Sequence, residues 1–153
     1  MFVCHGNICR SPMAEYLFKD MLKKAGRERE FFVQSCAVSH ETVWNGVGEP
    51  IYPPAKALLN GLGIACDEKR SQVMEEKDGE TFDIFLCMDD SNVARAKRIL
   101  GKNGGKCRKL LSFAGSNADV ADPWYTRDFQ ATYRDVMKGL AAFLEEYDKT
   151  ASR

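Results

Sequence analysis

Apolar positions recur at helical spacing in two long stretches of the chain. Over 12–25, Met13, Leu17, Met21 and Leu22 share one face and Gly26 closes the pattern; over 129–147, Phe129, Tyr133, Val136, Leu140, Phe143 and Leu144 form a second stripe. Two shorter helices are expected at 55–62, behind Pro53-Pro54 and ahead of Gly63, and at 91–100. Between them lie short apolar runs of the kind that fill buried strands: Met1-Phe2-Val3, residues 31–34, Ile84-Phe85-Leu86-Cys87-Met88, and a fourth at 109–112. Strands alternating with helices predict an α/β chain whose parallel sheet is covered on both faces. Ligands of such sheets bind beyond the carboxyl ends of the strands, and Cys4, Ser35 and Asp89 fall there.

The 153 residues, 44% of them hydrophobic, suit one domain spanning 1–153. Lysine and arginine number 22 and aspartate and glutamate 22, a formal net charge of zero that argues against nucleic acid or an anionic membrane as partner. No apolar run is long enough to span a membrane and no secretory signal is seen before the first strand, so a cytoplasmic location is expected. Cys4, Cys9, Cys36, Cys66, Cys87 and Cys107 lack paired C-x-x-C spacing, and only two histidines accompany them. Neither a metal nor a cofactor is expected, and free thiols suit a reducing compartment.

The densest chemistry follows the first strand, in Cys4-His5-Gly6-Asn7-Ile8-Cys9-Arg10-Ser11-Pro12. Gly6 and Asn7 tolerate positive φ, so the backbone is able to curl until successive N–H groups face one point, a nest for an anion. Ser11 as N-cap and Pro12 in the first turn start a helix whose positive end faces that nest. Arg10 adds a planar fork able to grip two oxygens of a phosphoryl group. In such a field a thiolate is favoured over a thiol; comparable environments lower a cysteine pKa from about 8.5 to roughly 3.5–7.5. A thiolate at Cys4 under a phosphate-shaped cradle is placed for displacement at phosphorus, through a cysteinyl-phosphate that water later cleaves. Taken singly, Cys4 reads as a buried strand end and Arg10 as a surface charge; their conjunction with the Gly-Asn turn and the helix start carries the catalytic reading.

The segment Val3 to Pro12 resembles the phosphate-binding loop of the low-molecular-weight protein tyrosine phosphatases, and Met88-Asp89-Asp90-Ser91-Asn92 and Asp122-Pro123-Trp124-Tyr125 resemble further motifs of that family in its order. The resemblance covers nearly the whole chain and implies a flavodoxin-like three-layer sandwich, its four-stranded parallel sheet in the order 2-1-3-4. It implies hydrolysis of phosphotyrosine on proteins or peptides, with inorganic phosphate and other oxyanions as inhibitors. Cys4 would be the nucleophile, Arg10 the phosphate clamp and Asp122 the general acid and base; His5, Gly6, Asn7, Ile8, Cys9 and Ser11 would complete the loop. Asn7 would brace the loop, Ser11 would donate to the Cys4 sulfur, Ser35 would hydrogen-bond Asn7, and Asp89 would support the site while also reading as an N-cap. Trp44, Trp124 and Tyr125 would wall a cleft for a flat phenyl ring. Family precedent also implies a reversible Cys4–Cys9 disulfide.

Departures from the family pattern are local. The segment before Trp44 is longer than in typical members; Cys36 stands where glycine is frequent, Thr126 replaces a common glycine, and Glu68 and Ser71 stand where animal members tend to place histidine and arginine. Three rivals share the loop. Arsenate reductases need resolving cysteines a few residues apart, which Cys66, Cys87 and Cys107 are not. Protein arginine phosphatases carry threonine at the position of Ile8. A non-catalytic phosphoprotein reader would keep the nest, but such proteins commonly lose the nucleophile or the acid, and Cys4, Arg10 and Asp122 are all present.

Overall fold

The computed structural model describes residues 1–152. Its centre is β1 (Phe2–Cys4), three residues long and fully buried. To one side lies β2 (Ser35–Ala37), with Phe2 opposite Ser35 and Cys4 opposite Ala37; to the other lies β5 (Phe85–Cys87), then β6 (Cys107–Lys109) at the edge. All three pairings are parallel and the order is β2-β1-β5-β6, the expected 2-1-3-4 once a small hairpin is set aside.

Strand residues alternate between two cores, which is why the strands read as unbroken apolar runs. Phe2, Cys4, Leu86 and Met88 face α1 (Arg10–Lys24), α2 (Pro53–Gly61) and α6 (Phe129–Ala151), where Phe18 meets Phe2, Phe31 and Phe143 edge-on. Val3, Cys36, Phe85, Cys87 and Cys107 face the other way, onto Ala96 and Leu100 of α4 (Asp90–Leu100) and Phe82, which follows α3 (Asp78–Thr81). No helix among the described residues is long and apolar enough to cross a membrane.

Several expected boundaries move. The second strand is not 31–34 but Ser35–Ala37: Gln34 gives only its carbonyl to Phe2 N, at 2.9 Å, while Phe31 packs on Phe18 and Phe32 stacks on Phe82. The fourth strand ends where 109–112 was to begin, because Leu110–Ala114 winds into a 3-10 turn that lodges Leu110 against Gly139 of α6. The first helix starts at Arg10 with Cys9 as its N-cap, not at Pro12 behind Ser11. An unanticipated hairpin joins β3 (Val43–Trp44) to β4 (Val47–Gly48) through Asn45 and Gly46, both at positive φ (49° and 76°), the signature of a two-residue turn.

Candidate active site

Cys4 ends β1, and its sulfur lies at the floor of a cleft of about 610 Å³ beyond the carboxyl edge of the sheet. The sulfur accepts the Asn7 N–H at 3.2 Å and lies 3.0 Å from the Ser11 hydroxyl. Asn7 alone takes the positive φ, at 57°. Gly6 does not need it; its missing side chain makes room for Thr42, whose methyl would stand 3.1 Å from a Cβ there and whose hydroxyl donates to the Gly6 carbonyl at 2.6 Å.

Ser11 is buried inside the first turn of α1 and makes no capping bond. Its oxygen accepts a proton from Asn7 Nδ2 at 2.8 Å, which leaves its own proton for the Cys4 sulfur. The second Nδ2 proton goes to Ser35 Oγ, also at 2.8 Å, and Asn7 Oδ1 accepts the backbone N–H of Gln72 at 3.1 Å. Ser35 thus meets Asn7 from the start of the second strand rather than its end.

Arg10 is buried and held from two sides. Nη1 donates to Asp89 Oδ2 at 2.9 Å and to the Val120 carbonyl at 3.2 Å, and Nη2 lies 3.3 Å from Asp122 Oδ2. Burial disfavours its charge, but Cys4, Asp122 and Asp89 outweigh that and hold it above its ordinary value. Asp89 makes two sets of contacts: Oδ1 caps α4 through Asn92 N at 2.7 Å, with Asn92 returning a capping-box bond, while Oδ2 accepts from Arg10.

Asp122 caps the short α5 (Pro123–Thr126), accepting Trp124 N at 3.0 Å, and lines the cleft together with Trp124 and Tyr125. Trp124 leans on Tyr52, ring centroids 5.2 Å apart. Trp44 does not join them. The Asn45-Gly46 turn sets it beside Val47 on the hairpin, 81% exposed and outside the cleft lining. Glu41, Thr42 and Glu49, which flank the hairpin, line the cleft instead, and Glu41 Oε2 meets His5 Nε2 at 3.0 Å.

Ile8 and Cys9 complete the floor, and the Ile8 carbonyl accepts Tyr52 N at 2.9 Å. All six thiols are free, Cys4 and Cys9 among them. Burial first, then the nearness of Cys4 and Asp122, pushes the Cys9 thiol up to about 12 against the pull of Arg10. Thr42, Glu49, Tyr52 and Gln72 border or brace the loop outside any of the sequence motifs. Only the first two had a local signal, the Asn-Gly turn between them.

The sequence pattern described as low molecular weight phosphotyrosine protein phosphatase matches residues 1–153. The "Low molecular weight phosphotyrosine protein phosphatase" of Sus scrofa is 37% identical over 153 residues, covering 95% of this chain and 93% of its own. The "Low molecular weight protein-tyrosine-phosphatase YfkJ" of Bacillus subtilis (strain 168) is 32% identical, covering 97% and 95%. The crystal structure of YfkJ superposes with a TM-score of 0.89 over 97% of this chain and 93% of that one, and a structure of the YwlE arginine phosphatase, 26% identical, with 0.81 over 97% and 94%. A match along the full length, joined to relatives above 30% identity over nearly all of theirs, shows that the chain belongs to the low molecular weight phosphotyrosine protein phosphatase family.

Proposed function

We infer that the protein is a protein tyrosine phosphatase that hydrolyses phosphotyrosine on proteins or peptides through a cysteinyl-phosphate intermediate. The observation that carries the reading is the meeting of the Cys4 sulfur, the Arg10 guanidinium and the Asp122 carboxylate in one cleft beyond the strand ends. The thiolate of Cys4 attacks phosphorus in line while Arg10 and the loop amides hold the equatorial oxygens. The resting Arg10–Asp122 contact is where the substrate intervenes: a phosphoryl dianion competes for the same fork and frees the carboxyl. Asp122, carrying a proton, gives it to the departing tyrosine oxygen, whose conjugate acid has a pKa of about 10. It then takes a proton from the water that attacks the phosphocysteine, and the Ser11 hydroxyl, already aimed at the sulfur, stabilises the thiolate as it leaves.

Trp124, braced by Tyr52, and Tyr125 offer flat walls to a phenyl ring. Inorganic phosphate and similar oxyanions would compete at the nest. Six free thiols support a reducing compartment, with the cytoplasm as the proposed location.

The test compares phosphotyrosine, phosphoserine and phosphoarginine peptides with wild type, Cys4→Ser and Asp122→Ala. Phosphotyrosine should be the fastest, Cys4→Ser should abolish turnover, and Asp122→Ala should lower kcat by about 10²–10⁴-fold, less for esters with acidic leaving groups. Faster release from phosphoarginine than from phosphotyrosine would falsify the assignment in favour of an arginine phosphatase.

A further inference from the structure

Behind the phosphate loop, outside the cleft lining, lie a buried carboxylate and a buried ammonium. Glu15, 4% exposed, follows Ser11 by one turn of α1; its Oε1 accepts the Ser35 hydroxyl at 2.6 Å and stands 3.3 Å from Lys69 Nζ. The Lys69 side chain is 9% exposed, and its ammonium also donates to the Ser35 carbonyl at 3.1 Å. Lys19 reaches the other oxygen, Oε2, at 2.5 Å, but its side chain is 45% exposed and solvent screens it. Burying such a pair is costly, and apolar side chains filling the same space would avoid that cost.

The hydrogen bonds that reach Glu15 run in one direction. The Gln72 N–H can only donate, which fixes Asn7 Oδ1 and turns both Nδ2 protons toward the hydroxyls of Ser11 and Ser35. Each hydroxyl, having accepted one proton, passes its own outward: Ser35 to Glu15, Ser11 to the Cys4 sulfur. The network therefore ends in two acceptors, and both ends are anionic when the thiolate forms. A carboxylate, with no proton to return, suits the Ser35 end, but its charge opposes the thiolate unless a cation cancels it.

We propose that Glu15 and Lys69 are positioning residues of the phosphate loop: Glu15 anchors the network that aims the Ser11 hydroxyl at the Cys4 sulfur, and Lys69 cancels the charge of Glu15 toward that sulfur. The role rests on the reading of Cys4 as the nucleophile. It acts through Ser35, Asn7 and Ser11, and neither residue touches the substrate.

The experiment measures the rate of iodoacetamide alkylation of Cys4 against pH, by mass spectrometry of the intact protein, in Glu15→Gln, Lys69→Met and the double variant. Lys69→Met leaves the carboxylate undercompensated, so the pH of half-maximal alkylation should rise; Glu15→Gln leaves two ammonium groups uncancelled, so it should fall. Each displacement should be about half a pH unit or more, since a unit charge is removed inside a poorly screened interior. The double variant should return close to wild type, and Lys19→Gln should move the midpoint less than Lys69→Met.

Loss of packing alone would lower thermal stability without moving the two midpoints in opposite directions. Midpoints that stay put, or move the same way, overturn the proposal. Should Lys69→Met fail to fold, Glu15→Gln decides by its downward displacement, with Lys69→Arg expected to match wild type. Alkylation needs no substrate, so the result stands apart from the phosphotyrosine assay: turnover lost with opposite midpoints intact would count against the phosphatase reading alone.

Discussion

Asn7 serves the loop in four ways at once: its φ of 57° turns the chain, its N–H reaches the Cys4 sulfur, its amide nitrogen holds two hydroxyls and its amide oxygen takes the Gln72 N–H. Alanine cannot supply the side-chain bonds and resists that φ, so Asn7→Ala should lose roughly 2–4 kcal/mol of stability, read by urea unfolding. Its kcat should fall at least tenfold, because Ser11 would be free to turn away from the sulfur. The residues from Cys4 to Ser11 were legible beforehand because an anion nest is a local object, written in one short stretch. Glu15, Lys69 and Gln72 were not: each reaches the loop through a tertiary contact, and a carboxylate on α1 or a lysine near Arg70 looks like any surface charge until burial is known. Trp44 differs: the local Asn45-Gly46 turn, not a distant contact, sets it outward.

At the scale of elements, periodicity locates the four long helices and the first and third strands, whereas the second strand, Ser35–Ala37, shares no residue with 31–34 and the fourth, Cys107–Lys109, shares only Lys109 with 109–112. Strand limits depend on which neighbour completes the ladder, and that is a property of the pair. Residues 31–34 are as apolar as a strand, yet the ladder begins at Ser35; Leu110 and Leu111 look like strand residues but fill the groove beside α6. That groove exists because position 139 has no side chain. A Cβ at Gly139 would lie 2.5 Å from Leu110 Cγ, so Gly139→Ala should cost about 1–3 kcal/mol by overpacking. The urea midpoint should drop while kcat on a small aryl phosphate stays near wild type, as neither Gly139 nor Leu110 lines the cleft. The Asn45-Gly46 hairpin is the opposite case, a strong local signal that determines which residues border the cleft.

Across the whole molecule all six thiols are free and buried, and they set its alkaline limit. Cys9 loses its proton at about 12 when folded but near 9.0 when unfolded. Between those values the unfolded chain binds fewer protons than the folded one, so stability is complete below pH 9 and falls as pH rises, by up to about 4 kcal/mol from this group. Burial pushes Cys36 up as well, and hydrogen bonding to Cys107 together with burial does so for Cys87. Melting temperature should therefore decline above pH 9, with a shallower decline in Cys9→Ala. One carboxylate links the two helical layers: Asp89 ties the guanidinium that enters from α1 to the first turn of α4 on the opposite face. Any anion that tugs on that guanidinium also loads the first turn of α4, so slowed deuterium uptake at the Asn92 amide becomes a remote reporter of occupancy, legible even for silent inhibitors that are never turned over.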